Sequence, residues 1–186
     1  MPFSHIPYHQ LDIPDGTFTF TCIRNPVRRV LSHYKMLLAY QRGGPFRPDL
    51  EKEAQWLGDS FDHFLDNISK EHLLNQLYMF SNSFSVDAAF NNISKLSHFF
   101  FTEAFDKGVA ALSAKMGLPL QPIHIRKENV DFQPGESDLA RLRLMLEPEF
   151  ELYERLQRVY EQLVISAQKA DGCPRRLPEQ GELPSL

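Results

Sequence analysis

The sequence predicts a helix-rich α/β domain with a parallel sheet, and three observations carry that reading. Residues 17–23, TFTFTCI, form a run of β-branched and aromatic residues that passes directly into a helical pattern. Residues 98–102, HFFFT, repeat the arrangement on a smaller scale, again with a helical stretch behind them. Strands that alternate with helices in this way build parallel sheets whose faces the helices cover.

The first strand follows the turn signal Pro14-Asp15-Gly16, which sets its start. Asn25-Pro26 then supplies a helix cap and a proline at the first helical position. Val27, Leu31, Tyr34 and Leu38 recur at helical spacing, with Arg28, Arg29, Ser32 and Lys35 on other faces. Gly43-Gly44-Pro45 and Pro48 end that helix in a loop. Residues 49–95 read as helical pieces, with Ser60 capping the segment around Phe61, Phe64 and Leu65, and with Leu73, Leu74, Leu77 and Phe80 as a later apolar stripe.

After the second strand, residues 103–116 read as a helix stopped by Gly117. Residues 122–126 are a third, short strand signal, and residues 136–167 read as helix with a break near Pro148. From Asp171 onward Gly, Pro, Arg and Glu dominate, which predicts a disordered tail over 171–186 behind a domain at 1–170. Three strand signals are few for a sheet covered on both faces, so a strand is expected to be missing.

Composition narrows the function classes. With 186 residues, 42% apolar and 24% charged, one domain with a substantial core is expected. A formal charge of -4 provides no basic field for nucleic acid, although clustered arginines can still hold a small anion. Cys22 and Cys173 are too far apart to suggest a disulfide framework, and the seven histidines lack the paired spacing of a zinc site, so no metal is expected. No apolar run approaches the ~18 residues that span a bilayer, and no secretory core follows Met1, so a cytoplasmic protein is expected.

The chemistry concentrates at Arg24-Asn25-Pro26. A strand that runs into a helix there turns free backbone N–H groups and the positive helix end toward an anion, and an arginine adds a bidentate partner. Ser32, two turns on and near the stripe of Asn25, places a hydroxyl toward the same ligand. The bland alternative has solvated arginines and a surface serine.

The run FTFTCIRNPVRRVLSHY resembles the 3′-phosphate-binding segment of the heparan-sulfate-type sulfotransferases and their bacterial relatives, a hydrophobic strand followed by R-D-P-x-x-R-x-x-S-x-Y. Arg24, Pro26, Arg29, Ser32 and Tyr34 match, and Asn25 stands where the pattern has Asp. Later blocks are similar in the same order: Asn75-Gln76, the helix from Ala88 to Lys95, Thr102-Glu103 after a strand, and EFELY at 149–153 with Glu149 or Glu151 in the acidic role.

The resemblance implies a P-loop-NTPase-like three-layer fold and a PAPS-dependent transfer of a sulfuryl group to a hydroxyl of a carbohydrate or related acceptor. It implies that Arg24, Ser32 and Arg29 belong to the site for the 3′-phosphate of adenosine 3′,5′-bisphosphate. Arg126 and Lys127, in HIRKENV, fall where a loop near the donor is expected. His5, in Ser4-His5-Ile6-Pro7-Tyr8, stands where some members place the base that takes the acceptor's proton. The family's first strand and its lysine-bearing loop for the 5′-phosphosulfate have no counterpart ahead of this segment, so the chain reads as the C-terminal portion of such a domain. A fragment, a decayed copy or a chain complemented by another subunit would each account for this, the first two being favoured; a sheet without that strand predicts poor solubility or self-association, and an anchor ahead of the segment would imply a membrane or Golgi-type setting. The rival class is a noncatalytic helical interaction domain with Phe61–Phe64 and Phe99–Phe101 as its partner surface, although ordinary core packing is the favoured reading of those segments. A kinase is disfavoured because no Walker loop is present.

Overall fold

The computed structural model describes residues 6–43, 48–123 and 130–171. His5, Arg126, Lys127 and the tail beyond Asp171 lie outside them. The described chain is mixed α/β and rich in helix, with one small parallel sheet.

Strand β1 is Phe20–Ile23 and strand β2 is His98–Phe101, paired in parallel so that Phe20 lies beside His98 and Ile23 beside Phe101. β1 begins later than the run of β-formers predicts. Thr17 N–H still bonds back to Pro14 C=O in the turn, and the Thr19 amide is taken by the Ser97 hydroxyl rather than by a strand. Among the described residues the sheet has two strands. The third strand expected at 122–126 is not formed at Pro122 and Ile123, which have no regular structure, and its remaining residues are outside the described set.

The residues of β2 alternate between two faces. Phe99 and Phe101 pack toward Tyr153 and Tyr160 of α9 (Glu147–Asp171), whereas Phe100 packs with Val109 and Leu112 of α7 (Phe105–Met116). Gly108 makes the α7 contact close. A Cβ there would lie 2.3 Å from the Phe100 ring, so only glycine lets the helix sit against the strand. His98 is buried beside it, with Nε2 lacking a partner, and burial lowers its pKa with Lys115 acting in the same direction.

The first helix, α1 (Pro26–Gln41), starts as its sequence predicts: the Asn25 side chain accepts the Arg28 N–H, and Pro26 holds the first position. Short helices α2 (Pro48–Glu53), α3 (Phe61–Asn67), α4 (Lys70–Leu73), α5 (Asn75–Phe80) and α6 (Val86–Ser94) follow. Ser60 caps α3 by accepting the His63 N–H, and Gly117 ends α7 at φ 63°. The predicted break near Pro148 falls at Leu146, between α8 (Glu136–Met145) and α9.

One core unites α1, α3, α5, α6 and α9 with Ile23, Phe99 and Phe101. Phe61, Phe64, Phe99, Phe100 and Phe101 are all buried, so the aromatic segments offered as a partner surface are core. Tyr34 of the arginine-serine motif sits among Phe61, Phe64 and Phe132 at ring separations of 4.7 to 4.9 Å. No described helix is long and apolar enough to cross a membrane.

Candidate functional site

The junction between β1 and α1 is held from behind by a buried polar network. Arg24, the first residue past β1, donates its backbone N–H to Gln76 Oε1 at 2.8 Å and accepts from Gln76 Nε2 at 3.0 Å on its carbonyl. One carboxamide thus satisfies both peptide groups of residue 24, as a neighbouring strand would. Gln76 lies at the second position of α5, and its own N–H donates to Glu149 Oε1 at 2.7 Å.

Glu149 has 0% exposure, and its Oε2 accepts from Arg29 Nη2 at 3.1 Å. The same guanidinium donates to the carbonyls of His72 and Leu73 at the end of α4, while its buried Nε has no partner. A buried carboxylate requires this kind of pairing to remain charged. Of the two acids left open by the EFELY block, Glu149 is the buried one and Glu151 is exposed.

Arg24 is half-buried, and its guanidinium makes no hydrogen bond or ion pair with another described residue. Burial lowers its pKa from the usual guanidinium value, while the Glu103 carboxylate opposes that shift. Ser32 is half-buried on α1, and its hydroxyl makes no hydrogen bond with a described residue. Arg28, one turn before Ser32, is exposed.

The backbone half of the expected anion cradle is largely occupied. The Asn25 N–H donates to Glu103 Oε1 at 2.9 Å, the Arg28 N–H is capped by Asn25, and the Arg24 N–H faces Gln76. Pro26 has no N–H to offer. The positive helix end therefore already holds one carboxylate of the chain itself. Glu103 also hydrogen-bonds the Tyr153 hydroxyl, whose pKa is pushed up to about 12 by burial and by that neighbouring charge.

Arg29, in contrast to Arg24 and Ser32, is turned inward onto Glu149. Gln76 and Glu103 stood only inside blocks of resemblance, with no role assigned, and Glu149 stood as one of two candidates for the acidic role. Glu149 left a readable signal: it falls on the buried stripe Leu142, Leu146, Leu152, Leu156 of α8 and α9, where an acid demands a partner. Gln76 left none, since its partner is 52 residues away.

A second cluster lies behind α1. Glu53 bonds His33 Nε2 at 2.6 Å and His72 Nε2 at 3.3 Å, and the Trp56 ring packs edge-on against both imidazoles. Among the described residues no group of His, Cys, Asp and Glu is arranged to hold a metal ion. Comparison with protein-family models, with curated proteins and with solved structures finds no match for this chain.

Proposed function

We propose that the β1–α1 junction recognises the 3′-phosphate of adenosine 3′,5′-bisphosphate, as the donor-binding element of a PAPS-dependent sulfotransferase that acts on a hydroxyl of a carbohydrate or related acceptor. One observation supports this best: Arg24 has its peptide clamped on both polar groups while its guanidinium makes no hydrogen bond or ion pair among the described residues. A clamped backbone with an unpaired cation is preorganised for an incoming anion. Arg24 then meets two phosphate oxygens, and Ser32 donates its hydroxyl to the same group. Selectivity for a 3′-phosphate over plain adenine nucleotides follows, because only the bisphosphate satisfies both side chains.

Arg29 belongs to this site as a positioning residue through Glu149 rather than by contact with the ligand. In the transfer, His5 accepts the proton of the acceptor hydroxyl, whose oxygen attacks sulfur as the bond from sulfur to the 5′-phosphate oxygen breaks and adenosine 3′,5′-bisphosphate leaves. Arg126 and Lys127 add positive charge near the donor. The residues that match the resemblance include none assigned to the 5′-phosphosulfate.

Calorimetric titration with adenosine 3′,5′-bisphosphate and with adenosine 5′-monophosphate tests the reading. The wild type should bind the bisphosphate at least about tenfold more tightly, a difference of roughly 1.4 kcal/mol, and Arg24→Ala should abolish that preference. Equal affinity for both nucleotides by the folded chain would overturn it.

A further inference from the structure

We infer that Gln76 and Glu149 are positioning residues that set the direction of Arg24, so that selectivity for a 3′-phosphate depends on two side chains that never touch the ligand. This rests on the donor-site reading of the junction. β1 ends at Ile23, and past that point Arg24 has no strand partner of its own in the ladder with β2. The Gln76 carboxamide takes that place, with bonds of 2.8 and 3.0 Å to the N–H and C=O of one residue. Two bonds of opposite polarity to one residue fix the plane of both flanking peptides, and hence the direction in which the Arg24 side chain leaves the backbone.

Gln76 is itself held. It is 8% exposed; its amide N–H reaches Glu149 Oε1 at 2.7 Å, and its Nε2 lies 3.4 Å from Glu149 Oε2. Glu149 is anchored by Arg29, five residues beyond Arg24 on the helix that Arg24 precedes. The chain of contacts therefore closes on itself: Arg24 backbone, Gln76, Glu149, Arg29, then α1 back to its own start. Neither end of the junction shifts without breaking one of these part-buried hydrogen bonds, and a network with its partners in place has little freedom to relax.

The identity of residue 76 is decisive because the carboxamide alone supplies a donor and an acceptor at one site. Leucine has a similar size and offers neither. Glutamate keeps the acceptor, loses the donor and sets a second carboxylate against Glu149.

The test combines backbone amide exchange by NMR with titration of adenosine 3′,5′-bisphosphate and adenosine 5′-monophosphate, on the wild type, Gln76→Leu and the isosteric Glu149→Gln. In the wild type the Arg24 amide should be protected although it lies outside the strand ladder. Either variant, kept well below its melting temperature, should speed that exchange and lower the preference for the bisphosphate about tenfold, with affinity for the monophosphate nearly unchanged. A purely structural role would lower the melting temperature and leave the preference intact, which overturns the inference while the donor-site reading survives. An unprotected Arg24 amide in the wild type overturns it even if neither variant folds. If the wild type shows no preference for the bisphosphate, the donor-site reading fails, and with it the selectivity role inferred here.

Discussion

Arg24 and Arg29 stand five residues apart in one motif, and the fold uses them in opposite ways. Arg29 has both terminal nitrogens engaged inside the protein, on the carbonyls of α4 and on a carboxylate with 0% exposure. Among the described residues Arg24 is hydrogen-bonded through its backbone, and its guanidinium feels the Glu103 carboxylate without a hydrogen bond or ion pair. The difference comes from helix geometry. Arg29 lies on the first full turn of α1 and points at the core stripe of α9, while Arg24 precedes the helix and is carried by the strand end. A motif with two arginines thus contains one structural ion and one available cation.

The contrast is sharpest in paired alanine variants. Arg29→Ala leaves Glu149 charged and uncompensated in the interior, which should cost about 3–5 kcal/mol. Arg24→Ala removes no described side-chain bond and should stay within about 0.5 kcal/mol of wild type. Urea unfolding of both variants measures the gap; equal losses would erase the distinction between the two residues.

Much of this junction was legible in the sequence. The β-former run, the Asn25 cap and Pro26 place the end of β1 and the start of α1 correctly, because strand preference, cap chemistry and helical period are local properties. The arginine pair was legible as basic but not as divided, since the division depends on Glu149, 120 residues away from Arg29. Two of the amides expected to be free near the helix start are taken for the same reason: Glu103 and Gln76 reach the Asn25 and Arg24 N–H groups across long sequence separations. Ser60 and Gly117 were read correctly because a cap needs only its own turn.

A second, half-buried carboxylate, Glu53, extends the comparison from arginine to histidine. Burial alone would raise the Glu53 carboxyl, yet hydrogen bonds from His33 and His72 hold it down at about 2. A carboxylate depressed in the folded state stabilises the fold above its unfolded value, and that contribution disappears as pH falls through the folded value. Stability should therefore fall between about pH 5 and pH 2, and Glu53→Gln should flatten that part of the profile. Urea midpoints measured across this range decide the point. A profile unchanged in Glu53→Gln would show that the histidine pair confers no acid-sensitive stability.

The smallest expected effect concerns the carboxylate already seated at the start of α1. Glu103 accepts the Asn25 N–H and bonds Tyr153, so it opposes any phosphate drawn to Arg24. Glu103→Gln keeps an oxygen to accept the Asn25 N–H and removes the charge. A single charge near a helix end is worth roughly 0.3–1 kcal/mol, so affinity for adenosine 3′,5′-bisphosphate should rise about two- to fivefold. That gain should shrink in high salt because the charge is exposed to screening. The Tyr153 hydroxyl should titrate lower in the same variant, since Glu103 is one cause of its raised pKa. Weaker binding in Glu103→Gln would mean that the carboxylate organises the site instead of competing for it, and the contrast between the two arginines would then have to include Glu103 as a partner that orients Arg24.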